Sequence, residues 1–228
     1  MQLKPNFDLL QAWEDAEKLK HYPCVAVFEK DGKTLVYMCD DHGANKSFDM
    51  VDMCMKSGMY PRPEVLLTEF ENSGRDITND MFQTNSLMYA VAVATQQNIP
   101  VVFADLSDEQ MLNVLRVQYP NRTFESADLT KVLRAAPIRS NGEFGEMGIV
   151  LNKYGRDKFM LQNIVAALNK YDVVFGMFGA GHFESQRLAL IDMMGRPKYI
   201  TNVPSARGDF DGLKINPIKL IDFETGGL

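Results

Sequence analysis

Two histidines and a pair of glutamates stand where this 228-residue chain could do chemistry. The chain has only three histidines, and two of them follow apolar runs directly: His42 comes after Thr34-Leu-Val-Tyr-Met38, and His182 comes after Val173 to Phe178. A third run, Val65-Leu-Leu-Thr-Glu-Phe70, carries Glu69 near its end and Glu71 two residues on. If the three runs are neighbouring strands of one parallel sheet, their ends converge on one rim, which is where ligands of open α/β sheets bind. Two imidazoles and a carboxylate with an open position are a ligand set for a catalytic divalent metal, which acidifies a bound water. Without metal the same groups serve as general acid and base. Asp40 and Asp41 could accept the second ring N–H of a ligating histidine and so fix its tautomer. Alternation puts Glu69 and Glu71 on one face of their strand, so spacing leaves the choice between them open.

The stretch Tyr171 to Gly195 organises the rest. Its apolar run meets Gly179-Ala-Gly181-His182 and then Leu188, Leu190, Ile191 and Met194 at near-helical spacing, a pattern of strand, tight turn and helix. Gly179 and Gly181 would allow positive φ and a close approach of a ligand to the main chain. Other chemistries fit poorly. Glu184 stands where a dinucleotide fingerprint needs its third glycine, and no Gly-Lys-Ser/Thr follows as a phosphate loop requires. Gly-x-Ser-x-Gly and His-Glu-x-x-His are both missing, so neither a serine hydrolase elbow nor a spacing-defined metal helix is present.

The elements that must position these residues read as α/β: a largely parallel sheet flanked by helices on both faces, with an N-terminal helix and hairpin, as one domain over 1–228. An apolar stripe of Leu9, Leu10, Trp13, Ala16 and Leu19 predicts the helix over 8–20. Asp31-Gly32 between two apolar runs predicts the hairpin. Helices are expected from Ser47 to Gly58, over 85–97, from the capping-box pattern Ser107-Asp-Glu-Gln110 to about Tyr119, and over 156–169. Strands are expected at 100–104 and 199–203. The stretch 136–155, with PIRSNGEFGEMG, shows no sustained period and reads as a long loop, either a lid over the site or a plain surface excursion. A weak internal echo accompanies this order: Cys39-x-x-His42, a Met-rich helix, Gly58 and Arg62-Pro63 parallel Gly179-x-x-His182, a Met-rich helix, Gly195 and Arg196-Pro197.

Composition narrows the partners. A net charge of −6 without any Lys/Arg cluster excludes a nucleic-acid backbone as partner. No apolar run approaches the ~20 residues of a membrane span, and the charged N-terminus is no signal peptide. Cys24, Cys39 and Cys54 are odd in number and lack Cys-x-x-Cys spacing, which fits reduced thiols in a cytoplasmic protein. The expected partner is a small-molecule or peptide substrate. Whether the chain works alone or as a homo-oligomer is open at this stage.

The order Cys39-Asp-Asp-His42-Gly43, Pro63-Glu-Val-Leu-Leu-Thr-Glu69, Arg156-Asp157-Lys-Phe-Met160 and Val173-Val-Phe-Gly-Met-Phe-Gly-Ala-Gly-His182 resembles the TraB/PrgY and TIKI proteins. That family lies within a broader group that includes erythromycin esterase-like enzymes and haem-binding ChaN-like lipoproteins. The resemblance spans about 35–200. It departs at Cys39, where the family's first Gly-x-x-His motif has glycine. It implies an α/β fold with His42, Glu69 and His182 as the site, in preference to Glu71. It also implies Arg156-Asp157 at a helix start and Arg75 in the place of a downstream arginine. TIKI-like members imply metal-dependent peptide hydrolysis, esterase-like members water attack on a lactone, and ChaN-like members binding alone.

Three functions follow as expectations. The first is a hydrolase of peptide or ester bonds in which His42, Glu69 and His182 hold a divalent metal or activate water directly, with Arg156 and Arg75 stabilising a carboxylate or oxyanion. The second is a non-catalytic binder of iron, a small ligand or, less favoured, haem at the same rim. The third is an interaction domain whose site residues are vestigial.

Overall fold

The computed structural model describes residues 2–13, 16, 19, 21–41, 45–71, 81–135, 142–201, 203, 213, 218–221 and 223. His42 and Arg75 lie outside them.

Six strands form one sheet: β1 (Cys24–Lys30), β2 (Lys33–Asp40), β3 (Val65–Glu71), β4 (Val101–Asp105), β5 (Val173–Gly179) and β6 (Lys198–Ile200), in the order β4-β3-β5-β2-β1-β6. The four strands from β4 to β2 are mutually parallel, and β1 runs antiparallel to both β2 and β6. The β1–β2 hairpin closes through Asp31 at φ 49° and Gly32 at φ 79°. A two-residue turn of this hand needs positive φ at both positions, which Asp-Gly supplies.

Between the strands run α1 (Asn45–Met55), α2 (Met81–Thr84), α3 (Ser86–Gln96), α4 (Asp108–Gln118), α5 (Ser126–Ala135), α6 (Glu143–Leu151), α7 (Asp157–Lys170) and α8 (Ala180–Met194). Alternation along the strands divides the core. Val36, Met38, Leu66, Phe175 and Met177 face α1 and α3 on one side of the sheet. Leu35, Tyr37, Leu67, Val174 and Phe178 face α7 and α8 on the other. A third cluster, with Leu112, Leu115, Leu129, Val132 and Met147, joins α4, α5 and α6 beside the sheet. The expected α/β architecture with helices on both faces is thus the observed one, and the capping box at Ser107 and Gln110 forms with both of its hydrogen bonds.

Three expectations are corrected. Over the described residues the N-terminal segment opens with a 3-10 turn, Phe7–Leu9, and an extended Leu10 where the α-helix is expected to start, and a helical-type bond runs from Ala16 N–H to the Ala12 carbonyl at 3.0 Å; residues 14, 15, 17, 18 and 20 lie outside the described ones. Its apolar stripe still marks burial, since Leu10 and Ala16 are core residues. Gln11, however, is satisfied from elsewhere: its N–H donates to the Ser185 carbonyl and Ser185 Oγ donates to its carbonyl, at 3.1 and 2.7 Å. The stretch read as a loop is helical over 143–155, with 136–141 outside the described residues. Here α6 runs into a π-helical turn, Asn152–Arg156, and straight on into α7. Finally, Gly179 and Gly181 make no tight turn. Gly179 has φ −55°, and α8 begins at the next residue. Along α8, Leu188 faces solvent while His182, Phe183 and Ser185 are buried.

The two units of the internal echo are both parallel crossovers lying on opposite faces of the sheet. They differ in span, since β2 to β3 passes over β5 alone, whereas β5 to β6 passes over β2 and β1.

Candidate functional site

The strand order brings three carboxyl-terminal ends together. Asp40, the last residue of β2, pairs in register with Gly179, the last residue of β5, and β3 flanks β5 on the other side. A cavity of about 270 Å³ opens there, lined by Trp13, Asp40, Asp41, Glu69, Arg156, Gly179, Ala180, Gly181 and His182. The expected residues Glu69, Arg156, His182, Gly179 and Gly181 therefore share one cavity, at the end of the sheet where α/β proteins bind ligands.

His182 sits in the first turn of α8 and is 1% exposed. Both ring nitrogens face carboxylates: Nδ1 is 2.6 Å from Asp157 Oδ1, and Nε2 is 3.1 Å from Glu69 Oε1. Burial pulls its pKa down, but the charges of Glu69 and Asp157 outweigh that, and it is raised to about 9. At neutral pH the ring is an imidazolium donating in both directions.

The side chain of Glu71 lies outside the described residues, and β3 shifts register beside β4 between Thr68 and Glu71; the glutamate that lines the cavity is Glu69. Its Oε1 also accepts from Arg156 Nη2 at 2.8 Å, and its Oε2 accepts the Gly179 N–H at 2.6 Å. Gly179 thus serves the site through its backbone donor rather than through a left-handed turn.

Arg156 ends the π-helical turn, the kind of local widening that recurs at functional sites. Its Nε and Nη2 grip Asp105 at the end of β4, with a shortest contact of 2.6 Å, and Nη1 donates to Asn152 Oδ1 at 3.2 Å. Burial opposes its charge, yet Asp105 and Glu69 together raise its pKa. The second N–H of Nη1 has no partner among the described residues. Gly155 lets the turn approach α4, since a Cβ there would lie 3.2 Å from Val114 and 3.3 Å from Leu106.

Asp40 and Asp41 were expected to orient a histidine. For His182 that role belongs to Asp157, which is wholly buried and also accepts Trp13 Nε1 at 3.2 Å on its Oδ2. Asp40 accepts from Ser86 Oγ at 3.0 Å. Sequence reasoning missed the parts played by Asp157, Asp105 and Trp13. Asp105 ends a short parallel strand, and Glu69 lies near the end of another, so the same strand-end argument finds it.

Among the described residues, no three His, Cys, Asp or Glu side chains are disposed to share a metal ion. The donor chemistry nevertheless suits one in part. An N–H held by a carboxylate on one side of the imidazole, with the other nitrogen facing a second carboxylate, is the usual setting of a ligating histidine. The 3.1 Å between Nε2 and Oε1 is also a span that one ion at about 2.0–2.2 Å from each can bridge. The third expected ligand, His42, lies outside the described residues.

A larger recess of about 480 Å³, between the end of α4 and the start of α6, contains no histidine, and its Arg122 is paired with Glu143. Among the described residues no helix is long and apolar enough to cross a membrane. No protein-family model matches the chain, and no curated protein or solved structure matches it either.

Proposed function

We propose that the chain is a metal-dependent hydrolase of peptide or ester bonds whose site is the cavity between the ends of β2, β3 and β5. The observation that carries this reading is the facing pair, His182 Nε2 and Glu69 Oε1, held 3.1 Å apart on the cavity wall while buried Asp157 fixes Nδ1. A divalent ion held by Glu69, His182 and His42 would polarise the scissile carbonyl and lower the pKa of the attacking water.

The chain's own groups do the rest. Asp157 holds the proton on Nδ1, so the proton that His182 would give up to bind an ion is the one on Nε2, whose lone pair would then face the ion beside Glu69. Arg156 and the Gly179 N–H hold the Glu69 carboxylate in place. The spare N–H of Arg156 is the donor for the carbonyl oxygen as charge develops on it. Arg75 is the second cation that the TraB/PrgY and TIKI resemblance assigns.

Two further observations support the reading. Five carboxylates, those of Asp40, Asp41, Glu69, Asp105 and Asp157, gather around two cationic side chains, Arg156 and His182, which favours a bound cation. The motif residues Glu69, Arg156, Asp157 and Gly179 to His182, far apart in sequence, meet at one place. The cavity is smaller than the ~300–1,000 Å³ of most ligand and cofactor pockets, which counts against haem and suits the few atoms around a scissile bond. A reducing, cytoplasmic setting is part of the same reading, resting on its three cysteines, all buried free thiols.

The test is a panel of fluorogenic peptides and aryl esters assayed with added Zn²⁺, Mn²⁺ or Co²⁺. The wild type turns over at least one of them, and His182→Ala lowers kcat/KM by on the order of 10²-fold or more with an unchanged circular dichroism spectrum. Full activity in a folded His182→Ala protein overturns the proposal. Tight retention of iron or a small ligand with no turnover would favour the binding alternative.

A further inference from the structure

The sole tryptophan of the chain, Trp13, belongs to no motif and reads in the sequence as one apolar position among several. In the fold it closes the cavity wall beside His182. The segment that carries it is tied to the helices of the site at two places. Leu3 exchanges two hydrogen bonds with the Asn169 side chain, at 2.7 and 3.0 Å, and Gln11 exchanges two with Ser185. Leu10 is buried between these anchors, so the chain arrives at Trp13 with little freedom.

Three contacts then engage the indole. Its Nε1 donates to Asp157 Oδ2 at 3.2 Å, on the oxygen that His182 does not use. Its ring meets the His182 ring edge to face, with centroids 5.0 Å apart and planes at 84°. It also lies against Gly181, where a Cβ would be 3.1 Å from the indole carbons. A ring placed only to cover apolar surface needs none of this polar registration. A carboxylate free on one oxygen can rotate about its last torsion, whereas one held on both oxygens cannot.

We propose that Trp13 is a positioning residue of the site: its indole N–H fixes Asp157 so that the other carboxylate oxygen stays aimed at His182 Nδ1, and its ring limits the tilt of the imidazole towards Glu69. The proposal rests on reading the His182–Glu69 pair as the working centre, but its test does not depend on turnover or on metal.

In metal-free protein at a single neutral pH, proton–nitrogen NMR observes the Nδ1–H of His182 directly. A short bond to a buried carboxylate moves such a proton strongly downfield and protects it from exchange. Trp13→Phe keeps a ring and removes the N–H, so the signal is expected to move upfield or broaden through exchange. Val132→Ala weakens the core under α5, away from the cavity, and it should leave the signal in place. Gly181→Ala keeps the indole but crowds it, so the one indole N–H resonance and the His182 signal should move together; this variant decides the matter if Trp13→Phe does not fold. A His182 signal unchanged in Trp13→Phe, or moved equally by Val132→Ala, overturns the proposal. Affinity for Zn²⁺ alone, measured in parallel, should fall roughly ten- to a hundredfold in Trp13→Phe. If the wild type binds no zinc, the metal reading fails, while the NMR result still judges Trp13.

Discussion

At the scale of the residue, His182 is an imidazolium clamped between two carboxylates, and that clamp links stability to pH. Its pKa is raised from 6.5 to about 9 in the folded state. The stabilisation is therefore complete below about pH 6.5 and is lost as pH rises through 9. At about 1.4 kcal/mol per unit, the difference is on the order of 3 kcal/mol. The expected outcome is that metal-free wild type loses stability to urea between pH 6.5 and 9.5, while His182→Gln lacks most of that slope. Parallel slopes for the two proteins would mean that the ring is neutral when folded. The residue scale also shows how much of the site was legible. His182 and the pair Glu69 and Glu71 stand out because they fall at or beyond the ends of apolar runs, while the choice of Glu69 and the entry of Arg156 came through a resemblance. Asp157 was hidden because it works from inside a helix, pointing at a residue 25 positions on. Trp13 was hidden because an apolar stripe says nothing of where an indole N–H points.

At the scale of the element, the π-helical turn between α6 and α7 carries the argument. It sets Asn152 against Arg156, whose side chain lines the cavity, and Asp157 follows at once. The sequence around it reads as loop because of its glycines, yet Gly145, Gly148 and Gly155 are buried. At Gly155 the missing side chain provides close packing rather than freedom, which composition cannot distinguish. Gly155→Val should therefore overpack the contact with Val114 and Leu106, costing about 1–3 kcal/mol. Denaturant midpoints measure it, and an unchanged midpoint would show that this packing does not hold the turn. The N-terminal segment failed in the opposite way. Its stripe promised a helix from residue 8, but the chain there opens with a 3-10 turn, and Gln11 pairs with Ser185 of α8 instead of with its own neighbours. The strands were legible because their apolar runs are short, β-branched and bounded by Asp-Gly, Pro or Gly. The capping box was legible because both of its hydrogen bonds are local.

At the scale of the whole molecule, topology assembles the site. The chain places β5, its fifth strand, between β3 and β2, so Glu69, Asp40 and the start of α8 meet only when the last major crossover has closed. Strand order of this kind is set by long-range pairing, and no local pattern announces it. The convergence was legible only as a condition, that the three runs be neighbours, and the sheet meets that condition. What the convergence is for is decided most directly by metal stoichiometry. Wild type, Glu69→Gln and His182→Ala would each be dialysed against Zn²⁺ or Mn²⁺, freed of excess ion and analysed for metal per chain. The expected result is about one ion per wild-type chain and a large loss in both folded variants. No ion in the wild type, or equal content in all three, would contradict it.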